Sequence, residues 1–369
     1  MMRGSFTRIL CGLMGAVPLA SMAVMPAHVA AQSSAPASAH ASPARSPAHN
    51  ASAAEAAARA AAAAAAQAAN AAELRTYHAM PDTPGTGAYP AVMEMDAGLA
   101  AHVIYRPANL AAMGDRKLGV LVWGNGGCRA DGASARLHLA EIASHGYLVI
   151  APGTIATGPS APAAPATTTP AGADNAGQPA PRAALPAPAT SAADVRAGID
   201  WALAENARTN SRYHGRIDTA AVAVGGHSCG GLQALQVAAD PRIRTVMVHN
   251  SGVFADGSNP IAGLTVDKGL LNGVHTPIIY ILGGPGDVAY PNGTDDVRRI
   301  DHVPTFLLDM PVGHGGTFRQ ANGGAVAQVS VDWLDWQLRG DEVAGRSFSG
   351  AMCRLCVVPG WTVTRKNMP

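Results

Sequence analysis

Ser228 is the side chain in this sequence whose surroundings best suit a nucleophile. It lies within Gly226-His227-Ser228-Cys229-Gly230-Gly231, after the run Val222-Ala223-Val224 and before the helical spacing of Leu232, Leu235 and Ala239. A serine in G-x-S-x-G between a strand and a helix stands on a sharp turn with its hydroxyl exposed. A Cβ at Gly226 or Gly230 would crowd that corner. The helix that follows aims its positive end, and the Cys229 amide, at any oxyanion forming beside the serine. The chemistry is acyl transfer through an activated hydroxyl. A glycine-rich turn with an incidental serine is the plain alternative, and the flanking strand and helix argue against it.

The elements that must carry this turn can be read in order. Residues 32 to about 75 are Ala, Pro and Ser of low complexity. They read as a tether, part coil and part transient helix, because alanine favours helix but buries too little to pack. Tyr89–Met95 and Ala101–Tyr105 predict two antiparallel strands at one edge. Leu118–Trp123 has no polar alternation, as a parallel sheet buried on both faces requires, and it runs into Gly124-Asn125-Gly126-Gly127-Cys128. A helix carrying Leu137, Ala140 and Ile142 follows, and then the buried strand Tyr147–Ile150, which completes a strand–helix–strand unit. Residues 156–190 are rich in Pro, Ala, Thr and Gly without periodicity and predict a flexible insert. Ser191 and Asp194 form a capping box ahead of Val195, Ile199 and Leu203. Thr245–His249, Pro277–Leu282 and Thr305–Leu308 predict three more buried strands, and Ala325–Leu338 a helix stopped by Gly340.

With strands, serine turn, acid and histidine in this order, the chain resembles the α/β-hydrolase superfamily from about residue 76 to its end. Ser144-His145-Gly146-Tyr147-Leu148-Val149-Ile150 and Gly226-His227-Ser228-Cys229-Gly230-Gly231 look most like its cutinase-like polyester hydrolase and dienelactone hydrolase branch. Two departures stand out. Cys128 occupies a loop position where those polyester hydrolases usually carry an aromatic residue, and a long insert precedes Ser191. The resemblance implies an α/β fold with a mostly parallel central sheet and helices on both faces. It also implies the chain order serine, acid, histidine.

In that order Asp287, just beyond a buried strand, is the expected acid. Asp295, Asp296 and Asp301 read as solvated loop residues, and Asp309 as a structural cap. His314 follows the last strand and is the expected base. His302 precedes the same strand and so falls at the opposite edge, while His145 and His249 read as structural and His227 as a support beneath the turn. The oxyanion would lie between the amides of Cys229 and of a residue in the loop 126–128, Cys128 first and Gly127 beside it.

Composition narrows the remaining choices. The 369 residues carry a formal net charge of +1, with 14% charged and 48% hydrophobic side chains. No field for nucleic acid is available. Arg3 and Arg8, the apolar run Ile9–Met25 and Val29-Ala30-Ala31 predict a signal peptide over residues 1–31, with a membrane anchor as the alternative. The mature chain is then secreted or periplasmic, monomeric, and without a membrane span. Gly124-Asn125-Gly126 lacks the third glycine of a dinucleotide fingerprint, Gly283-Gly284-Pro285-Gly286 lacks the Lys-Ser/Thr of a P-loop, and no histidine pair has zincin spacing. No cofactor or metal is expected.

Four of the five cysteines remain after export and allow three pairings. Two oxyanion amides must face one small oxygen, so their backbones lie close together, within the roughly 7 Å that a disulfide can span. Cys128–Cys229 and Cys353–Cys356 are therefore expected bonds; two buried free thiols are the alternative. The reading that emerges is a serine carboxylic-ester hydrolase acting on small-molecule or polymeric esters of short to medium acyl chains. Acyl transfer or peptide cleavage on the same three residues is the nearest alternative, and a non-catalytic binding module on this fold the more distant one.

Overall fold

The computed structural model describes residues 47–162 and 187–368. The expected signal peptide lies outside them, as do residues 163–186 of the insert. By its contacts the chain divides into residues 1–63 and 64–369. Of the first unit only 47–63 are described, the opening part of helix α1 (Pro47–Ala79). The alanine-rich stretch is thus one helix of 33 residues where coil and transient helix were expected. Alanine's propensity acts over many turns here, and the far end is fastened by packing, with the Tyr77 ring buried.

The second unit is an α/β structure. Strands β1 (Ala91–Met95) and β2 (His102–Pro107) pair antiparallel, as expected, and β2 pairs antiparallel with β4. Strand β3 (Leu118–Gly124), helix α2 (Arg136–Ser144) and β4 (Tyr147–Pro152) form the first parallel unit. Helix α3 (Ala192–Ala207) opens on the Ser191–Asp194 capping box. Strand β5 (Ile217–His227) leads into α4 (Cys229–Val237), β6 (Ile243–His249) and β7 (Ile278–Leu282). After β7 come α5 (Tyr290–Arg299), β8 (Thr305–Asp309), α6 (Gly324–Arg339), the short α7 (Glu342–Gly345) and β9 (Thr362–Lys366). The sheet order is β1-β2-β4-β3-β5-β6-β7-β8-β9, parallel from β4 through β8.

Alternation along the strands divides the core in two. Val120, Val122, Val222, Val224 and Ile278 face one side, where they meet Val195 and Ile199 of α3 and Leu232 and Leu235 of α4. Leu121, Trp123, Ala223, Met247 and Ile279 face the other, against Leu139 of α2 and Val329 and Trp333 of α6. Helices therefore cover both faces, which is why the central strands read as unbroken apolar runs.

Two elements depart from expectation. Asp295 and Asp296 are not solvated loop residues. They lie on α5, where both are buried and Lys268 reaches them at 2.8 and 2.6 Å. The tail adds β9, antiparallel to β8 at the sheet edge. A charged strand such as Thr-Val-Thr-Arg-Lys carries the polar alternation of an edge and gives no buried run to find.

Candidate active site

The turn after β5 places Ser228 at φ 53°, ψ −121°, a strained conformation for a residue with a side chain. Close packing holds it there. A Cβ on Gly230 would overlap the backbone of Gly124 on β3, and one on Gly226 would overlap Gly230 itself. The Ser228 amide donates to the His249 carbonyl at 3.0 Å, and the Ser251 hydroxyl donates to the Ser228 carbonyl at 2.6 Å. Both flanks of the turn are thereby tied to the end of β6.

Three residues far apart in sequence converge on this corner. Ser228 Oγ lies 2.9 Å from His314 Nε2, and His314 Nδ1 lies 2.6 Å from Asp287 Oδ1. Asp287 comes from the loop after β7 and His314 from the loop after β8, so both leave the sheet at the edge where β5 ends. The Asp287 carboxylate is buried and accepts from the Ala289 amide (2.9 Å), the Gly283 amide (3.1 Å) and Asn250 Nδ2 (2.9 Å). Burial by itself pushes its pKa up. The hydrogen bonds from His314, Ala289 and Asn250 outweigh that and hold it near 2. It is an acceptor-only group at neutral pH, which directs an N–H of His314 toward it and leaves Nε2 free to accept from the serine.

The rival residues take other roles. Asp309 ends β8 and meets Thr362 of β9 at 3.4 Å. His302 sits at the opposite sheet edge and bonds the Val274 carbonyl at 2.8 Å. Asp301 is solvent-exposed. His145 pairs with Glu141 on α2 at 3.2 Å. His249 is buried beneath the corner with His138, Trp123 and Phe318, at ring separations of 4.9 to 5.8 Å. His227 supports the site sideways: its Nε2 lies 2.7 Å from the His314 carbonyl. Burial, then the adjacent His314, lowers its pKa to about 4 and keeps it neutral.

Asn250 was not singled out from the sequence. It stands at φ 46°, bonds Asp287 and also reaches the Gly313 carbonyl at 3.0 Å, so one amide group links the acid to the histidine loop. Its signal was present in the polar His249-Asn250 pair ending a buried strand. Asparagine is one of the few residues at ease in the left-handed region.

Cys229 opens α4, so its amide is one that helix geometry leaves without an intrahelical partner. Cys128 does not present its amide in the expected way. That N–H donates to the Asn125 carbonyl at 3.0 Å and closes a tight turn over Gly126–Cys128. A three-residue turn of this kind spends the amide of its last residue internally, which leaves the amides of Gly126 and Gly127 as the loop's available donors. Gly127, at φ 66°, remains a candidate. The cysteines themselves pair as expected: Cys128–Cys229 has its Cα atoms 5.3 Å apart and Cys353–Cys356 has 5.0 Å. The first bond clamps the loop after β3 to the residue after the serine. The Cys128 carbonyl also accepts from the Ala189 and Thr190 amides at 2.9 and 3.0 Å, which pins the end of the insert to the same point.

No protein-family model matches the chain, and no curated protein matches it. Among the described residues no helix is long and apolar enough to cross a membrane.

Proposed function

We propose that this protein is an exported serine carboxylic-ester hydrolase of the α/β-hydrolase type. The observation that carries the reading is the unbroken line Ser228 Oγ, His314 Nε2, His314 Nδ1, Asp287 Oδ1, with separations of 2.9 and 2.6 Å. In the proposed reaction His314 Nε2 takes the Ser228 proton as the hydroxyl attacks an ester carbonyl. Asp287, ionised and buried, stabilises the imidazolium and holds its orientation. The tetrahedral oxyanion forms toward the Cys229 amide and the amides of Gly126 and Gly127. Loss of one such donor costs about 3 kcal/mol of transition-state stabilisation. His314 then protonates the departing alkoxide, and a water activated by the same imidazole releases the acyl group from Ser228.

Export is supported by the basic and apolar N-terminal segment and by two disulfides, which persist in oxidising compartments. The decisive experiment treats the protein with a fluorophosphonate probe and assays aryl esters of rising acyl length. Covalent labelling at Ser228 with loss of esterase activity is expected, together with inactivity of Ser228→Ala. Full activity in Ser228→Ala removes the proposal. Hydrolysis only of amides, or acyl transfer to an added alcohol in place of water, redirects the same serine to the alternative chemistries.

A further inference from the structure

Three consecutive residues at the end of β6 brace the members of the proposed triad. β6 lies between β5, which carries the serine turn, and β7, which leads to the acid. The His249 carbonyl accepts from the Ser228 amide, and Ser251 Oγ donates to the Ser228 carbonyl. Asn250, buried between them in sequence, serves the other two members through the loops after β7 and β8.

Asn250 closes a ring of hydrogen bonds there. Its Nδ2 donates to Asp287 Oδ2 at 2.9 Å and to the Gly313 carbonyl at 3.0 Å. The Gly313 amide donates to the Gly283 carbonyl at 2.8 Å, and the Gly283 amide donates to Asp287 Oδ2 at 3.1 Å. The ring has no slack, since a Cβ on Gly283 would overlap the Gly313 carbonyl and come within 2.8 Å of Asn250 Nδ2. Gly313 immediately precedes His314, so the ring ties the loop of the base to the carboxylate that the His314 ring meets at 2.6 Å. The Asn250 amide cannot be turned over, because both groups it faces are acceptors only. Its Oδ1 is buried with no hydrogen-bond partner among the described residues. An unpaired buried acceptor opposes folding, and a side chain held at that cost calls for a reason beyond stability.

Resting on the esterase reading above, we propose that Asn250 is a positioning residue for the acid–base pair, holding the Asp287 carboxylate and the His314 loop in one fixed relation. Asp287 Oδ1 is engaged by His314 and the Ala289 amide, and Oδ2 by Asn250 and the Gly283 amide. The carboxylate therefore cannot rotate without losing bonds, and the imidazole stays aligned with Ser228 as it takes and returns the proton. The Asn250 side chain bonds neither Ser228 nor the His314 ring, so it acts through Asp287. A residue of this kind affects the transition state and leaves ground-state binding of the ester alone. A misplacement of about 1 Å in such a constellation costs about 10²-fold in rate.

The test uses the full chain and measures kcat and KM on p-nitrophenyl acetate. Asn250→Gly removes the amide and suits the positive φ of 46° at this position. It is expected to lower kcat about 10- to 100-fold and to leave KM within about twofold of wild type. Added to Asp287→Asn, the same change is expected to cost less than about twofold more, because a residue that acts through the acid then has nothing left to position. Thermal melting verifies folding of each variant, and Asn250→Ala carries the test if the glycine variant fails to fold. A folded variant with wild-type kcat, and with Ser228 labelled by the fluorophosphonate at the wild-type rate, overturns the positioning role and leaves the esterase reading standing. An equal loss in both backgrounds also overturns it, since the amide would then brace the fold and not the acid. No labelling of wild type at Ser228 overturns both.

Discussion

At the scale of single residues, the arrangement around Ser228 depends on which group His314 faces. Asp287 presents only acceptors to the ring, and its own orientation is set by the Ala289 and Gly283 amides and by Asn250. Asp287→Asn would offer an amide where an acceptor is needed and favour the wrong imidazole tautomer, so turnover should fall by about 10⁴-fold with little change in fold. His314→Ala should be at least as severe. His302→Ala and Asp309→Asn, whose side chains point to the Val274 carbonyl and to Thr362, should retain most activity. Steady-state rates on one aryl ester decide this. A severe Asp309→Asn beside a mild Asp287→Asn would reassign the acid. The acid and base were legible because loop position after a buried strand locates a residue on one sheet edge. Asn250 was marked only by the polar pair that ends β6, because a hydrogen bond to another side chain leaves no spacing in the sequence that would give its role. The Cys128 amide differs from expectation for a related reason: whether a turn consumes its own N–H depends on a hydrogen bond to the Asn125 carbonyl that the glycines permit but do not announce.

At the scale of elements, the site is assembled from four loops that the sheet brings side by side, those after β3, β5, β7 and β8, and one covalent bond joins the first two. Cys128–Cys229 joins residues 101 apart in sequence. Closing so long a loop lowers the entropy of the unfolded chain by an amount worth about 4–5 kcal/mol in the chain-entropy picture, with 2–4 kcal/mol typical of measured bonds. The same bond fixes the loop carrying Gly126 and Gly127 against the Cys229 amide, so its loss acts on stability and on the oxyanion site together. Cys128→Ser should lower the melting temperature and the turnover number in parallel, while Ser228 still reacts with a fluorophosphonate. Scanning calorimetry and a labelling gel measure the two effects. Lowered stability with undiminished turnover would show that the bond braces the fold and leaves the oxyanion donors untouched. The central strands were easy to read from their apolar runs. Helix α5 escaped because its buried positions include Asp295 and Asp296, whose burial depends on Lys268 arriving from a distant loop.

At the scale of the whole molecule, the sheet buries its centre so thoroughly that titratable rings are carried in with it, and this makes stability depend on pH. His138 is held near 3 and His249 well below its ordinary value, in both cases by burial, and neither ring has a protein hydrogen-bond partner among the described residues. His227 is held near 4 by burial and the neighbouring His314. In the unfolded chain each histidine titrates near 6.5. Between those values the unfolded chain binds protons that the folded chain refuses, so this contribution is complete above about pH 6.5 and is lost as the pH falls toward 4. At pH 5 each such ring favours unfolding by about 2 kcal/mol. Asp296 works in the opposite sense. Burial raises it to about 6 despite Lys268, so the folded chain takes its proton first and gains on the order of 1 kcal/mol by pH 5. Three such rings outweigh one carboxyl, and the net loss of roughly 5 kcal/mol is a large share of the 5–15 kcal/mol typical of a folded chain. Asp287, held near 2 against an unfolded value near 3.9, adds a further loss only below about pH 4. The melting temperature should therefore drop by about 5–10 °C between pH 7.5 and pH 5. The double variant His138→Phe/His249→Phe, which keeps an aromatic ring in each place and removes the titrating nitrogens, should flatten that slope by more than half. A melting temperature that is level across this range in the wild type, or a slope that survives in the double variant, would place the pH response elsewhere in the molecule.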